Sequence, residues 1–154
     1  MVEDDKFLLE MYSRKLIESG FEVFGLEDFR NNFIEKVVAF QPDLISLDIL
    51  APEIDGFQAA EMLRSDLRTK NIPFSFLSNL GQKEDIEKAK SLGAIGYIVC
   101  ASVTLNEFVK RIFQFIELAE SRKDLNIRNI GGAVDEFLLE MEQENAEFKN
   151  TNKF

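Results

Sequence analysis

Acidic side chains stand at two places in the sequence where they could act together on a metal ion or a phosphate. Glu3, Asp4 and Asp5 lie at the start of the chain, and Asp48 ends a mostly apolar run of strand length. Carboxylates that converge repel one another, which raises their pKa values. A hard divalent cation removes that repulsion, and oxygen-only ligands suit Mg²⁺. A carboxylate beside such an ion can act as a nucleophile toward phosphorus.

Two more side chains follow the next apolar runs: Ser78, whose hydroxyl could donate a hydrogen bond to a phosphoryl oxygen, and Cys100. Each feature alone has an ordinary explanation. An acidic cluster favours a helix N-terminus through the helix dipole, an Asp after a strand is often a loop cap, and a single serine is uninformative. Ligands of an open parallel sheet bind beyond the carboxyl ends of its strands. The order of these groups on successive strand ends therefore favours one common site.

The elements that position these groups follow from hydrophobic periodicity. Helices are predicted over residues 5–19, 29–40, from 57, over 84–92 and over 105–118, and the first has an apolar stripe that includes Phe7, Leu8, Met11 and Leu16. A short strand is predicted over residues 21–24 and buried strands over 43–49, 72–78 and 95–99. Alternating strands and helices predict a parallel sheet covered on both faces.

The first strand of such a sheet is short here, because only Met1 and Val2 precede the acidic cluster. We therefore expect a truncated first strand and an untethered acidic segment. A domain swap, completion by the C-terminal tail, or a chain that is a fragment of a longer one would each account for it. Residues 120–154 are predicted to form a polar linker and an amphipathic helix with the stripe Val134, Phe137, Leu138 and Met141. That stripe predicts either a homodimer contact or folding back onto residues 1–119.

Composition excludes several classes of function. The net charge of −10 disfavours direct nucleic-acid binding, and the absence of histidine removes Ser-His triads and the usual zinc sites. One cysteine allows no intrachain disulfide and fits a reducing cytoplasm. No apolar run approaches the roughly 18 residues of a membrane span.

The quoted residues resemble a known family. Several segments are similar in order and spacing to response-regulator receiver domains. They are Val2 to Asp5, the run from Pro42 to Phe57 that contains Asp48 and Gly56, Ile72 to Ser78, Gly81-Gln82, and Gly93-Ala94 leading to Tyr97. The resemblance covers residues 1–119 and implies a flavodoxin-like α/β fold with a five-stranded parallel sheet of order 2-1-3-4-5. The tail would add an extra C-terminal helix.

The resemblance also implies roles for individual residues. Asp48 would accept a phosphoryl group, and Glu3, Asp4, Asp48 and the backbone carbonyl of Leu50 would hold Mg²⁺. Ser78 would be the switch hydroxyl, and Tyr97 the aromatic side chain that turns inward with it. A sensor histidine kinase or a phosphotransfer protein would be the phosphoryl donor. The protein would not be an enzyme beyond self-phosphorylation from small donors and self-dephosphorylation.

One departure from the family pattern leaves two functions open. Cys100-Ala101 stands where the family has lysine followed by proline, and a thiol cannot supply the lysine's positive charge. The chain is therefore either a phosphorylation-dependent switch or a degenerate receiver that acts as a constitutive interaction or dimerisation module. A haloacid-dehalogenase-type phosphatase is disfavoured, because that family needs a second Asp two residues after the nucleophile and Leu50 stands there.

Overall fold

The structure, a computed structural model, describes residues 1–79 and 81–124. Its sheet has three parallel strands in the order β1-β2-β3: β1 Ile45–Asp48, β2 Phe74–Ser78 and β3 Gly96–Val99. Asp48 pairs with Leu77, and Ser78 pairs with Val99, so the strand ends lie side by side. Every residue of β1 and β2 is buried, as expected of strands covered on both faces.

The sheet is flanked by α1 Lys6–Glu18, α2 Phe33–Phe40, α3 Gly56–Ser65, α4 Lys83–Ser91 and α5 Leu105–Asp124, with a 3₁₀ turn at Cys100–Ser102. Two of these helices begin at aspartate caps beside the strand ends. The Asp5 carboxylate accepts hydrogen bonds from the N–H groups of Phe7 and Leu8, and Asp55 forms a capping box with Gln58. These caps fix where the chain turns from each acidic segment into a helix.

Two apolar cores lie on opposite faces of the sheet. The first contains buried side chains of α2, α3 and α4, among them Phe33, Phe57, Leu63 and Ile86. The second lies under α1 and α5 and includes Tyr12, Leu16, Phe108, Ile112 and Phe115. Helices on both faces confirm the predicted α/β class. Within the described residues, no helix is both long and apolar enough to cross a membrane.

The start of the chain is tethered, contrary to the expectation of a loose acidic segment. The Val2 N–H donates to the Ser46 carbonyl at 2.9 Å, its carbonyl accepts from the Asp48 N–H at 3.0 Å, and the Glu3 N–H donates to Leu26 at 3.0 Å. Val2 forms single parallel bridges to Leu26 and to Leu47. These bridges anchor Glu3 and Asp4 without a regular first strand, so a full five-stranded order is not formed in the described residues.

Three further expectations differ from the structure. Residues 21–24 form no strand, and the bridge beside Val2 falls at Leu26 instead. The buried face of α1 is rotated relative to the predicted apolar stripe, since the Phe7 side chain is 73% exposed while Tyr12 is only 5% exposed. α5 continues to Asp124, past its predicted end at residue 118. The linker beyond it, the C-terminal helix and its dimer contact lie outside the described residues.

Candidate functional site

Three carboxylates meet at the carboxyl end of β1. One ligand oxygen from each of Glu3, Asp4 and Asp48 lies within 4.8 Å of the others. Glu3 and Asp48 are buried, at 5% and 7% exposure, whereas Asp4 faces solvent. We call these three residues the acidic wall. The sequence predicted this convergence, and the backbone bonds of Val2 and Glu3 bring it about.

Burial of the acidic wall opposes ionisation. Desolvation, reinforced by the Asp48 charge, raises the pKa of Glu3 to about 7, although the Asp5 N–H donates to Glu3 Oε1 at 3.2 Å and opposes the shift. Desolvation also raises the pKa of Asp48, and the neighbouring Asp4 charge adds to the effect. The three carboxylates are hard oxygen donors, and burial and mutual repulsion oppose their ionisation. A small divalent cation would fit this cluster, because its charge would relieve the repulsion.

The loop that follows Asp48 is packed closely against it. The Leu50 N–H donates to Asp48 Oδ1 at 3.2 Å, and the Gly56 N–H donates to the Ile49 carbonyl at 3.1 Å. A Cβ atom at Gly56 would lie 2.2 Å from the Asp48 carbonyl oxygen, so only glycine fits there. The metal-binding role of the Leu50 carbonyl stays a prediction.

An exposed ion-pair network joins this loop to the segment before α2. Arg30 binds Glu53 at 2.9 Å and Asp28 at 2.8 Å. Glu53 has φ +66°, an uncommon conformation for a residue with a side chain. No local sequence pattern predicts the Arg30–Glu53 pair, because the two residues lie 23 positions apart in the chain.

Ser78 and Tyr97 lie on adjacent strands and contact each other. Ser78 ends β2 with 2% exposure, Tyr97 in β3 has none, and their hydroxyl groups are hydrogen-bonded. Burial raises the pKa of Tyr97 above its ordinary value, while the Ser78 hydrogen bond works in the opposite direction. The Tyr97 ring is fully buried in this structure, and its centroid lies 6.3 Å from that of the Phe76 ring.

Cys100 begins the 3₁₀ turn after β3 and is half-buried. Burial raises the pKa of its thiol, and the charges of Glu3 and Asp48 act in the same direction. Hydrogen bonding from the Tyr12 hydroxyl and from the backbone of Ser78 lowers the pKa of the thiol and opposes that rise. We call Tyr12 and Cys100 the thiol wall. Sequence reasoning missed Tyr12, although its four-residue spacing from Leu8 and Leu16 places it on the buried stripe of α1.

Comparison with known proteins agrees with this architecture. A family model of the response regulator receiver domain matches residues 1–113, and the chain therefore belongs to the response-regulator receiver family.

The curated relatives are longer proteins than this chain. The chain is 33% identical over 98 residues to the sensory transduction protein BceR of Halalkalibacterium halodurans, covering 64% of this chain and 41% of that protein. It is 29% identical over 131 residues to the response regulator protein GraR of Staphylococcus aureus, covering 81% and 56%. The chain thus spans about two fifths to just over half of these relatives.

Solved structures show the same fold. The chemotaxis protein CheY4 of Vibrio cholerae aligns with a TM-score of 0.68 and 24% identity, covering 74% of this chain and 93% of that one. A CheY-like receiver domain protein of Methanospirillum hungatei aligns with a TM-score of 0.69 and 19% identity, covering 79% and 94%. At these identities the comparison supports the fold alone.

Proposed function

We propose that this chain accepts a phosphoryl group on Asp48 and acts as a phosphorylation-dependent switch in a two-component system. A sensor histidine kinase or a phosphotransfer protein would be the donor. The observation that carries the proposal is the convergence of Glu3, Asp4 and Asp48 at the end of β1. Membership of the receiver family gives that convergence its chemical meaning.

The chemistry assigns one task to each side chain. Glu3, Asp4, Asp48 and the Leu50 carbonyl would hold Mg²⁺, which when bound neutralises the non-bridging oxygens of the transferring group. An Asp48 carboxylate oxygen attacks phosphorus, a new P–O bond forms, and the bond to the donor's leaving group breaks. The Ser78 hydroxyl then donates to a phosphoryl oxygen, with Tyr97 packed behind it. No turnover of a separate substrate is needed, so we propose no enzymatic activity beyond self-phosphorylation and self-dephosphorylation.

A specific observation favours a second function. Cys100 replaces the family's lysine, and the Tyr97 ring is fully buried beside Ser78. A chain with both features could act as a constitutive interaction module whose surface does not change on phosphorylation. The two functions differ in whether Asp48 is modified and whether the modification alters the protein.

The setting of the protein is also a proposal. We propose a cytoplasmic protein that meets a basic surface on its protein partner, since the chain carries a net charge of −10. RpaA of Synechocystis, a relative of 33% identity over 99 residues, is described as DNA-binding. We do not extend DNA binding to this chain, which spans 40% of RpaA and whose charge repels phosphate backbones.

Intact-mass spectrometry after incubation with acetyl phosphate tests the proposal. We expect a single phosphoryl adduct that requires Mg²⁺ and is absent from the Asp48→Asn variant. An unmodified parent protein, shown to be folded by circular dichroism, would reject the switch and favour the interaction module. An adduct that persists in Asp48→Asn would place the acceptor elsewhere.

A further inference from the structure

A cavity of about 390 Å³ opens at the amino end of β1, the end of the sheet opposite the acidic wall. Val2 borders it, and the cavity lies where a longer first strand would run beside β1. Apolar side chains from both cores and from the segment after α1 form most of its wall. They include Leu16, Phe21, Phe33, Val37, Ile112 and Ile116.

Aromatic side chains at the edge of this cavity are exposed to solvent. Phe24 lines the cavity, and its ring stacks on that of Phe40 at 5.2 Å between centroids. Phe113 of α5 is also exposed, and its ring lies 4.5 Å from that of Phe21 in the cavity wall. An apolar cavity that continues into exposed aromatic rings is typical of a surface that binds another apolar segment.

The charged residues of the wall limit which segment can enter. Glu22 and Asp43 also line the cavity, and both carry negative charge at neutral pH. An acidic face brought against them would be repelled. The cavity therefore suits an uncharged apolar face.

The chain leaves the described fold at this same end. α5 starts beyond the carboxyl ends of the strands, passes Ile112 and Ile116 in the cavity wall, and ends at Asp124, about 12 Å further along its axis. Residues 125–133 follow, and these nine residues can span up to about 30 Å. A segment that begins at residue 134 can therefore return to the cavity of its own chain.

That segment has the spacing of a helix that binds in a groove. Its apolar side chains occupy positions i, i+3, i+4 and i+7, which are the anchors of helix-in-groove recognition. We call them the tail stripe: Val134, Phe137, Leu138 and Met141. None of the four is charged, and helical periodicity would turn Glu136 and Glu140 to the opposite side, away from Glu22 and Asp43.

We propose that the tail stripe docks in this cavity of its own chain. Attachment through a short linker gives an effective concentration on the order of millimolar, which favours the chain's own stripe over that of a second copy in dilute solution. The docked segment covers the exposed rings of Phe24 and Phe113. It also packs beside Val2, whose backbone bridges tether the acidic wall. The inference does not depend on phosphorylation of Asp48.

Spin-label NMR on the full chain tests the docking. Cys100 is the only cysteine, so Gln143→Cys in a Cys100→Ala background gives a nitroxide a single attachment site, off the tail stripe. We expect the label to broaden the methyl signals of Ile112 and Ile116 much more strongly than that of Ile54, which lies beyond the other end of β1. Equal broadening, or none, at these three residues would overturn the proposal.

Two adjacent leucines provide a matched pair of variants. Leu138→Asp places a charge on the tail stripe, and Leu139→Asp places the same charge next to it but outside the stripe. We expect Leu138→Asp to abolish the broadening at Ile112 and Ile116 and to lower the urea midpoint, because the stripe leaves the cavity. Leu139→Asp should keep both at the parent's values. Equal effects of the two variants would contradict docking through the stripe.

A mixing experiment separates docking within one chain from docking between copies. Isotope-labelled protein without a nitroxide is mixed with unlabelled protein that carries the nitroxide at position 143. We expect the methyl signals of Ile112 and Ile116 to stay sharp in this mixture. Broadening there would show that the stripe of another copy fills the cavity, and it would overturn docking within one chain.

Discussion

The acidic wall and the thiol wall depart from the receiver pattern to different degrees. The acidic wall keeps the carboxylates that the family pattern predicts, with their oxygens within 4.8 Å of one another. The thiol wall replaces a cation with a neutral pair, Tyr12 and Cys100. In the proposed function, cation binding and phosphoryl acceptance depend on the first wall. The family's lysine stands in the second wall, so the first can keep the family pattern while the second changes.

The largest effect we expect comes from Gly56, which abuts the backbone of the acidic wall. Gly56→Ala should lower the free energy of unfolding by about 3 kcal/mol, because its Cβ would clash with the Asp48 carbonyl, which the sheet holds in place. Gly81→Ala is the matched control, since its Cβ would meet only the Val99 side chain, at 3.3 Å. Urea unfolding measures the free energy of unfolding of both variants. Equal destabilisation by Gly56→Ala and Gly81→Ala would contradict the close packing of Gly56 against the Asp48 backbone.

The next effect separates the walls by Mg²⁺ affinity. Asp4→Asn should weaken Mg²⁺ binding by at least the roughly 10- to 100-fold that loss of a partner around a metal ligand causes. Cys100→Ala should change the affinity by less than about twofold, because a neutral thiol gives Mg²⁺ no hard oxygen. Isothermal titration calorimetry measures both dissociation constants. A similar loss in the two variants would show that the walls do not act separately.

The buried carboxyl of Glu3 predicts a dependence of stability on pH. Its pKa is raised from 4.5 to about 7, so the folded state holds its proton more tightly than the unfolded state does. The stabilising contribution is therefore complete below about pH 4.5 and is lost as the pH rises through 7. Without Mg²⁺, the parent should lose about 2.5 kcal/mol more than Glu3→Gln between pH 5 and pH 8.

Glutamine suits this comparison, because its side-chain oxygen can still accept the Asp5 N–H while carrying no charge. Urea unfolding at the two pH values, with and without Mg²⁺, gives the four free energies needed. Mg²⁺ should restore most of the parent's loss at pH 8. Parallel pH dependence in the parent and in Glu3→Gln would contradict the buried, repelled carboxylate.

The smallest effect is expected at Arg30, in the ion-pair network of the loop after Asp48. Arg30→Gln removes the ion pairs to Glu53 and Asp28, but Arg30 is exposed and such pairs contribute little. We expect an unchanged urea midpoint and an unchanged Mg²⁺ affinity. A clear loss of Mg²⁺ affinity would mean that the loop after Asp48 needs this network to keep its shape.

The acidic wall could be predicted from sequence because its residues follow apolar segments whose carboxyl ends meet at one edge of the sheet. Asp48 is the last residue of the apolar strand β1, and the Asp-Gly turn at Asp55-Gly56 begins the next helix. Periodicity also located α3, α4 and β3 within two residues of their observed starts. These features follow from short-range patterns.

The features that were missed depend on contacts between distant residues. The predicted strand over residues 21–24 has an alternating pattern but no ladder partner, and the bridge to Val2 forms at Leu26. Helical periodicity cannot fix which face of α1 turns inward, so it predicts Phe7 on the apolar stripe and does not single out Tyr12, whereas Phe7 is exposed and Tyr12 is buried. The Tyr12–Cys100 contact joins α1 to the turn after β3, and no local pattern encodes it.

Chemical mapping of the phosphoryl group tests the central claim most directly. Borohydride reduces an acyl phosphate on aspartate to homoserine, which peptide mass spectrometry locates within the chain. After incubation with acetyl phosphate and Mg²⁺, we predict homoserine at position 48 and at no other acidic residue. Homoserine at another position, or none in a folded protein that was fully exposed to the donor, would contradict the assignment of Asp48 as the acceptor.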